Sequence, residues 1–242
     1  MDTNQTLTEI VTKQIMDEIK DGIYKDEKRL PPEKEIALRL GVSRTVVRDA
    51  LAVLEREGFI NRKHGIGTII NHHVLQIANR MDLEQEFCEE VRASGFSPSR
   101  KLLEVQKIPA DEAIAGRLKI ELNAPVFAVS RLIYADERPA IYCIDYFSET
   151  LLVRDDYSLE DFEASIFDFL TKFCDTDIHM DITEVRAFAA DLPVAKNLDI
   201  PFATPVLYMG ELGYTFFGEP VLFSKEYYND GIFHHMLLRK KI

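Results

Sequence analysis

The second part of the chain contains an internal repeat, which limits the folds that it can adopt. Ala110 and Asp111 recur as Ala190 and Asp191. Seven more positions match at the same offset: Ala115, Leu118, Ile120, Pro125, Val126, Leu132 and Tyr134 match Ala195, Leu198, Ile200, Pro205, Val206, Leu212 and Tyr214. Each copy is typical of a short helix, a Pro-Val strand, a tight turn and a second strand. The duplication predicts one antiparallel sheet with helices packed on it and a pseudo-symmetric cleft between the halves.

Charge is distributed unevenly along the 242 residues, a length that favours two domains. The formal net charge is −12. Residues 1–75 carry 12 basic and 12 acidic side chains, whereas residues 76–242 carry 17 basic and 29 acidic ones. Only the first part can therefore approach a polyanion without strong repulsion.

Several classes of protein are disfavoured by the sequence. Cys88, Cys143 and Cys174 are far apart and odd in number, so we expect core thiols rather than disulfides or a zinc site. The N-terminus has no basic-then-apolar leader, and no apolar run is long enough to span a membrane. We expect a cytoplasmic protein without a membrane partner. Because the sequence has no P-loop, GxSxG or HExxH motif, we expect no catalytic residues and no cofactor.

The first seventy residues contain three helix patterns. Apolar residues from Leu7 to Ile19 recur at helical spacing, and Gly22 is placed to end that helix. A second, short helix covers residues 33–40 and stops at Gly41. Ser43 is a good N-cap for a third helix that ends near Gly58. Two short helices joined by a Gly-Val-Ser turn predict a helix-turn-helix.

The third helix carries side chains suited to DNA. Arg44 and Arg48 are four residues apart, so they project together from the first turns, with Thr45 beside them. A guanidinium donates two hydrogen bonds to a guanine edge in the major groove, where the N-terminal part of a recognition helix lies. The alternative is a solvated face on which Arg48 pairs with Asp49 or Glu55; the Gly-Val-Ser turn favours DNA readout.

A hairpin follows the third helix. Residues 59–63 and 68–70 are typical of two strands around a turn that contains Gly65 and Gly67. Such a tip lets the backbone approach a phosphate or enter the minor groove, and Arg62, Lys63 and His64 add positive charge near it. An ordinary hairpin loop is the alternative interpretation.

Together these motifs resemble the winged helix-turn-helix of the GntR family of bacterial transcription regulators, across residues 8–70. The resemblance rests on Leu-Pro-x-Glu, Gly-Val-Ser-Arg-x-x-Val-Arg, Leu-Glu-x-x-Gly and Gly-x-Gly-Thr in that order. It implies base or phosphate contacts for Arg44 and Arg48, a backbone contact for Lys34, and a minor-groove wing. Lys34 replaces the commoner arginine, so we expect a phosphate contact there. The expected DNA-binding residues are Lys34, Ser43, Arg44, Thr45, Arg48, Arg62, Lys63, His64, Gly65 and Gly67.

The repeat also places a charge on an apolar strand. Arg131 lies among Phe127, Val129 and Ile133, and its counterpart in the second copy is Glu211. A buried charge needs a partner. Either Arg131 and Glu211 neutralise each other or reach solvent, or Arg131 holds an anionic ligand group. In the second case the Ser165-capped helix over residues 165–173 would add backbone donors.

Residues 94–238 contain the two Pro-Val strands, Arg131, Ala135-Asp136 before a hairpin, Ser165, Glu184 and the ending Ser224-Lys225-Glu226-Tyr227-Tyr228. By these features they resemble the UTRA effector domain of the HutC subgroup of GntR regulators, whose fold is similar to chorismate lyase. The resemblance implies an effector pocket formed by Arg131, Ser165, Glu184, Lys225 and Tyr228. An arginine that is frequent after the first hairpin is Ile144 here. The missing cation argues against a doubly charged phosphate ligand.

A metal site is disfavoured. Asp175, Asp177, His179 and Asp181 alternate and would share one strand face, but the spacing fails as an EF-hand loop because Met180 occupies its glycine position. A turn followed by a solvated strand is the favoured interpretation, and we expect no metal ligands.

We therefore expect an α+β protein in which an N-terminal winged helix-turn-helix precedes an antiparallel-sheet effector domain. The expected domains are residues 5–72 for DNA binding, 73–93 for a linker and helix, and 94–240 for effector binding and dimerisation. The expected function is a ligand-responsive repressor that binds a double-stranded operator as a homodimer and is released or repositioned by a sugar phosphate, an amino acid or another small carboxylate. Two alternatives remain: an enzyme with a chorismate-lyase-like cleft acting on a small anionic metabolite, and an architectural DNA binder without an effector.

Overall fold

The computed structural model describes residues 6–83 and 85–240. It divides into two compact units, one within Met1–Asp82 together with Met236–Ile242 and the other within Leu83–His235. Gln5, where the expected first domain begins, Glu84 in the expected linker helix, and residues 241–242 at the end of the chain lie outside the described residues. No helix in the described ranges combines the length and apolar character that a membrane span requires.

Three helices and a small sheet form most of the first unit. Its elements are α1 (Leu7–Lys20), β1 (Arg29–Leu30), α2 (Glu33–Leu40), α3 (Arg44–Arg56), β2 (Ile60–Lys63), β3 (Gly67–Ile70), α4 (His72–Leu75) and β4 (Asn79–Arg80). The three predicted helices and the hairpin are confirmed. The buried faces of the helices form one apolar core, which includes Val11, Ile15, Ile36, Val47 and Leu51.

Local capping explains where these helices begin and end. Thr6 and Glu9 form a reciprocal capping box at the start of α1. Gly41 has φ +67°, a left-handed conformation that closes α2 and that favours glycine. The Ser43 hydroxyl then accepts a 3.3 Å hydrogen bond from the Val46 N–H, so α3 begins at Arg44.

The sheet of the first unit has one strand more than the sequence predicts. β1 pairs antiparallel with the outer side of β3, which gives the order β1-β3-β2. β1 has only two residues, and a pattern of alternating exposure cannot be recognised over so short a segment. The polar linker likewise contains the short elements α4 and β4, which its lack of periodicity does not predict.

The second unit is a six-stranded antiparallel sheet with helices on it. Its elements are α5 (Phe87–Ala93), β5 (Pro98–Pro109), α6 (Glu112–Leu118), β6 (Pro125–Ala135), β7 (Arg138–Ser148), α7 (Ile166–Cys174), β8 (Met180–Ala189), α8 (Leu192–Leu198), β9 (Pro205–Tyr214) and β10 (Pro220–Tyr228), with 3₁₀ turns at Glu149–Leu151 and Leu159–Phe162. The strand order is β5-β6-β7-β10-β9-β8. The expected antiparallel sheet and α+β fold class are confirmed.

The repeat accounts for this topology. The copies α6-β6-β7 and α8-β9-β10 are each preceded by a long strand, β5 or β8. β5 was not predicted, and β8 begins at Met180, within the segment interpreted as a turn followed by a solvated strand. β7 pairs with β10 along Phe223↔Tyr146 to Tyr228↔Ile141, so the two halves form one continuous sheet. The two halves are thus joined by backbone pairing, and the expected cleft between them stays a prediction.

Each face of the sheet has its own helices and its own core. On one face, α7 packs over an aromatic cluster that includes Phe127, Phe147 and Phe169. On the other, α6 and α8 cover two clusters that contain Tyr146 and Tyr208. Successive residues of a strand point to opposite faces, so the register determines which side chains meet.

The C-terminal segment differs from the expectation. Its described residues form one short strand, β11 (His235–Met236). Residues 236–240, expected in the effector domain, belong with the first unit because Lys240 Nζ donates to the carbonyl oxygens of Glu55, at 2.5 Å, and Arg56, at 2.9 Å.

Candidate functional site

The exposed side of α3 carries the two arginines that the sequence singles out. Val47, Ala50, Leu51 and Leu54 are buried, whereas Arg44, Thr45 and Arg48 are exposed. The Arg44 side chain is 69% exposed, and its only ion pair among the described residues is a long one, 4.0 Å to Glu33. Within the described part of the chain, Arg48 forms no ion pair with Asp49 or Glu55. Both guanidinium groups are therefore sterically accessible to a polyanion.

The hairpin tip has the conformation that its glycines permit. Gly65 and Gly67 have φ values of +76° and +102°, a region that other residues rarely adopt. No heavy atom lies within 4 Å of a Cβ built on either glycine, so open space surrounds the backbone there. Lys63 and His64 are exposed beside this tip.

Arg62 has a different environment from its predicted neighbours. Its backbone N–H and its Nε each donate a 2.8 Å hydrogen bond to Glu55, and Nη1 lies 3.5 Å from the Arg48 carbonyl oxygen. Burial alone would raise the pKa of Glu55, but the hydrogen bonds from Arg62 lower it below its usual value. Arg62 thus joins the hairpin to α3, and its guanidinium is already partly neutralised.

Two more basic residues border this surface. Lys34 is exposed in the first turn of α2, as expected for a phosphate contact. Arg29 was not predicted; its Nη1 donates a 3.2 Å hydrogen bond to the Ile66 carbonyl oxygen in the hairpin tip. The sequence gives no signal for Arg29, because the two-residue strand that places it there is itself not recognisable.

The five expected effector residues lie on two opposite faces of the sheet. The register places four residues of neighbouring strands in one row across the sheet, in the order Ile144, Lys225, Gly210 and Glu184. Lys225 and Glu184 therefore project from the same face. Arg131 is aligned with Cys143, one residue away from that row, and so projects from the other face. Tyr228 and the Ser165-capped start of α7 belong to the face of Arg131. The five residues therefore do not line one pocket.

Arg131 is a buried, neutralised cation. Its side chain is 5% exposed; Nη2 donates to Asp145 Oδ2 at 2.5 Å and Nη1 to the Ala164 carbonyl oxygen at 2.6 Å. Burial opposes its charge, yet Asp145 raises the pKa of Arg131 above its ordinary value. Neither sequence interpretation identified this partner. Glu211 is not the partner because two strands, β7 and β10, separate β6 from β9, which is about 14 Å at 4.8 Å per strand.

A small cleft lies beside this ion pair, under α7. It encloses about 10 Å³, room for about one water molecule. The residues that line it are Phe167, Ile178, Asp181, Glu211, Gly213, Leu222 and Ser224. The Ser224 hydroxyl donates a 2.6 Å hydrogen bond to Asp145, the partner of Arg131. Thr183 Oγ1 lies 2.9 Å from Asp181 and 3.1 Å from Glu211, so it bridges the two carboxylates. The lining contains two carboxylates and no basic side chain.

A second acidic cluster surrounds Tyr228 on the same face. The Tyr228 hydroxyl donates to Glu226 at 2.8 Å and lies 3.4 Å from Glu90. Burial, followed by the charge of Glu211, raises the pKa of Glu226 well above its usual value. The same two causes raise the pKa of Glu90 to about 7. His235 Nε2 is 3.9 Å from Glu90, but burial lowers the pKa of His235 and so disfavours a compensating cation.

Lys225 and Glu184 lie on the opposite face and are not close to these groups. Lys225 Nζ lies over the rings of Tyr146 and Phe223, at 5.2 and 5.7 Å. Glu184 accepts from Arg117 of α6 at 3.3 Å and is half-exposed. Both residues lie on the face of the sheet that α6 and α8 cover, Lys225 against aromatic rings and Glu184 partly in solvent.

The raised pKa of Glu90 predicts a pH-dependent stability. The folded state holds a proton on Glu90 up to a pKa of about 7, compared with 4.5 for the ordinary carboxyl. Its stabilising effect is complete below pH 4.5 and is lost as the pH rises through 7. The free energy of unfolding of the wild type should therefore fall between pH 5 and 8, by up to about 3 kcal/mol from Glu90 alone. In Glu90→Gln this part of the fall should be absent.

Denaturant unfolding of both proteins across that pH range checks this prediction. Glu137→Gln, in the exposed turn between β6 and β7, serves as a matched control that should follow the wild type. An unchanged pH profile for Glu90→Gln would contradict the raised pKa.

Two domain families match the chain, in agreement with the two units. Residues 7–70 match the gntR family of bacterial regulatory proteins, and residues 93–233 match the UTRA domain. The matches cover the helix-turn-helix with its hairpin and nearly all of the six-stranded sheet.

Individual relatives are also transcriptional regulators rather than enzymes. The HTH-type transcriptional regulator YurK of Bacillus subtilis is 32% identical over 57% of this chain and 57% of its own length. The HTH-type transcriptional repressor NagR of the same organism is 26% identical over 81% of this chain and 79% of its own length. The crystal structure of a possible transcriptional regulator, YydK of Bacillus subtilis, has the same fold: its TM-score is 0.78 at 17% identity, over 98% of this chain and all of that one. The chain therefore belongs to the GntR family of bacterial transcription regulators and carries a UTRA domain, as its resemblance to the HutC subgroup implies.

Proposed function

We propose that this regulator is a repressor that binds an inverted-repeat operator as a homodimer and responds to a small effector. One observation carries the DNA-binding part: two accessible guanidinium groups, of Arg44 and Arg48, project from the capped start of α3. A two-fold dimer matches the symmetry of an inverted repeat, with one recognition helix in each of two successive major grooves.

The basic residues of the first unit divide into three roles. Arg44 and Arg48 read base edges or adjacent phosphates from α3. Lys34, a compact charge at the start of α2, contacts a phosphate without reading sequence. Arg62 is a positioning residue in this proposal, since Glu55 and the Arg48 carbonyl oxygen already engage its donors.

The effector binds in the cleft under α7 and carries a positively charged amino group. The cleft encloses about 10 Å³, the space of about one water molecule, so an effector enters it only where the lining side chains move apart. Asp181 and Glu211 offer acceptors, and Arg131 is neutralised by Asp145. An anionic group would meet like charges, whereas an ammonium group gains charge-assisted hydrogen bonds. Among the expected ligands, this favours an amino acid over a sugar phosphate or a simple carboxylate, and it extends the candidates to amino sugars.

Effector binding acts by shifting a population. A ligand changes an equilibrium only by the difference between its affinities for the two states. The effector therefore stabilises the arrangements of the homodimer that bind it more tightly. Operator DNA stabilises the arrangements in which both recognition helices can enter its major grooves. The coupling is reciprocal, so operator DNA changes effector affinity by the factor by which effector changes DNA affinity.

The first prediction separates sequence readout from phosphate contact. Arg44→Ala should weaken operator binding by about 1–3 kcal/mol and relax the sequence preference, because a base contact is lost. Lys34→Ala should weaken operator and non-specific DNA alike and reduce the salt dependence by about one unit of slope.

Fluorescence anisotropy with operator and scrambled duplexes at several salt concentrations measures both effects. Arg138→Ala, an exposed arginine in the second unit, is the matched control and should bind like the wild type. Wild-type operator affinity for Arg44→Ala would end the assignment of α3 as the recognition helix.

The second prediction concerns the effector class. Within a matched pair such as glucosamine and glucose, the amine should bind about tenfold or more tightly, because a hydrogen bond to a charged group contributes about 1.5–3 kcal/mol. Glu211→Gln should remove most of this preference while retaining the size of the side chain.

Calorimetric titration measures the preference, and operator release shows whether binding is productive. Glu137→Gln, which alters an exposed carboxylate in the turn between β6 and β7, is the control. Tighter binding of anionic analogues than of amines would show that the charge argument is wrong.

A further inference from the structure

We propose that β8 is the dimerisation edge of the second unit, where two copies of this chain pair β8 with β8 antiparallel about a two-fold axis at Val185. This inference rests on the homodimer of the proposed function and adds the surface that forms it. It follows from the condition of the two sheet edges and from the order of charges along β8.

The other edge strand, β5, is protected against pairing. A bulge shifts its register with β6 between Leu102 and Glu104. Lysines and terminal prolines interrupt it further, namely Lys101, Lys107, Pro98 and Pro109. Bulges, lysine and proline are the features by which natural sheets prevent association at an edge.

β8 has none of these features. It pairs with β9 over ten residues in a register without a shift. It contains neither lysine nor proline, and its apolar residues are exposed: Met180 by 51%, Ile182 by 63% and Val185 by 44%. A long, regular edge strand with exposed apolar side chains is a template for another strand.

The sequence of β8 is self-complementary in one register. Centring the two-fold axis on Val185 places Glu184 opposite Arg186 twice. The same register places Ile182 opposite Phe188. Opposite charges and apolar pairs at facing positions stabilise an antiparallel ladder. The interface is isologous, as a two-fold dimer requires.

The neighbouring registers fail on charge. Directly opposite side chains of an antiparallel pair point to the same face of the sheet, whereas consecutive residues of one strand point to opposite faces. In a continuous sheet the two-fold axis therefore passes through a residue and not between two residues. Moving the axis one residue towards the N-terminus sets Glu184 opposite Glu184, and one residue the other way sets Arg186 opposite Arg186. Moving it by two residues sets a charged residue opposite Ile182 or Phe188.

The two charges are available to a partner. The Glu184 and Arg186 side chains are 52% and 51% exposed. Within one chain Arg186 Nε is 4.0 Å from Glu184, and its guanidinium lies 4.4 Å from the centre of the Tyr208 ring. Arg117 of α6 also contacts Glu184 at 3.3 Å. The intrachain contacts fix both groups on one face, where the symmetry-related pair would meet them.

A cysteine at the two-fold axis tests the register. In Val185→Cys the two thiols face each other, with Cα atoms about 4.5 or 5.5 Å apart in the two kinds of antiparallel pair, a distance that a disulfide spans. Cys88, Cys143 and Cys174 are all buried, so they do not compete. Ile182→Cys is the matched control, because residue 182 faces residue 188 and its symmetry mate is roughly 20 Å away along the strand. Mild oxidation of the full chain should give a covalent dimer for Val185→Cys and none for Ile182→Cys.

Charge reversal tests the energetics. Arg186→Glu and Glu184→Arg each create two like-charge pairs and should raise the dimer dissociation constant on the order of tenfold or more in sedimentation analysis. An equimolar mixture of the two variants restores both Glu–Arg pairs and should dimerise like the wild type, which also shows that both variants are folded.

The outcomes separate this inference from the proposed function. A wild-type chain that stays monomeric overturns the homodimer and this interface together. A wild-type dimer that neither charge reversal weakens, with no disulfide in Val185→Cys, overturns the β8 interface and leaves the homodimer standing on another surface.

Discussion

The alternation of side chains along one continuous antiparallel sheet determines what the second unit can do. Because β7 pairs directly with β10, the two copies of the repeat share a single pair of faces. Every residue is thereby assigned either to the α7 face or to the face of α6 and α8. This assignment separates Lys225 and Glu184 from Arg131 and Tyr228, which no inspection of motif residues alone achieves.

The α7 face contains a large excess of buried acid. Arg131 is neutralised by Asp145, and burial disfavours protonation of His235, while Glu226, Glu90 and Glu211 remain close to one another. Charged groups are costly to bury, and buried carboxylates close to one another respond by holding protons. The raised pKa values of Glu90 and Glu226 and the acidic wall of the cleft therefore have the same cause. An ammonium group on an effector would add a positive charge beside these carboxylates.

The sequence predicts local structure well where the signal lies within a few residues. The N-cap at Ser43, the left-handed Gly41 and the glycine hairpin are all local, and all three are present. The repeat likewise predicts the strands β6, β7, β9 and β10. The partner of Arg131 could not be predicted in this way, because Asp145 meets it through a strand register that the motif does not encode. β1 was missed because two residues show no period, and β5 because the matched positions begin after it.

One strand connects the two properties proposed for the second unit. Asp181 of β8 lines the cleft, and Val185, four residues along the same strand, lies at the proposed two-fold axis. A strand that is hydrogen-bonded along its whole length to β9 moves as a unit with it, and Glu211 of β9 forms the other acidic wall. An effector that draws Asp181 and Glu211 together thus acts on the edge at which the second copy pairs. Since linkage is reciprocal, dimerisation must change effector affinity by the factor by which effector changes dimer affinity.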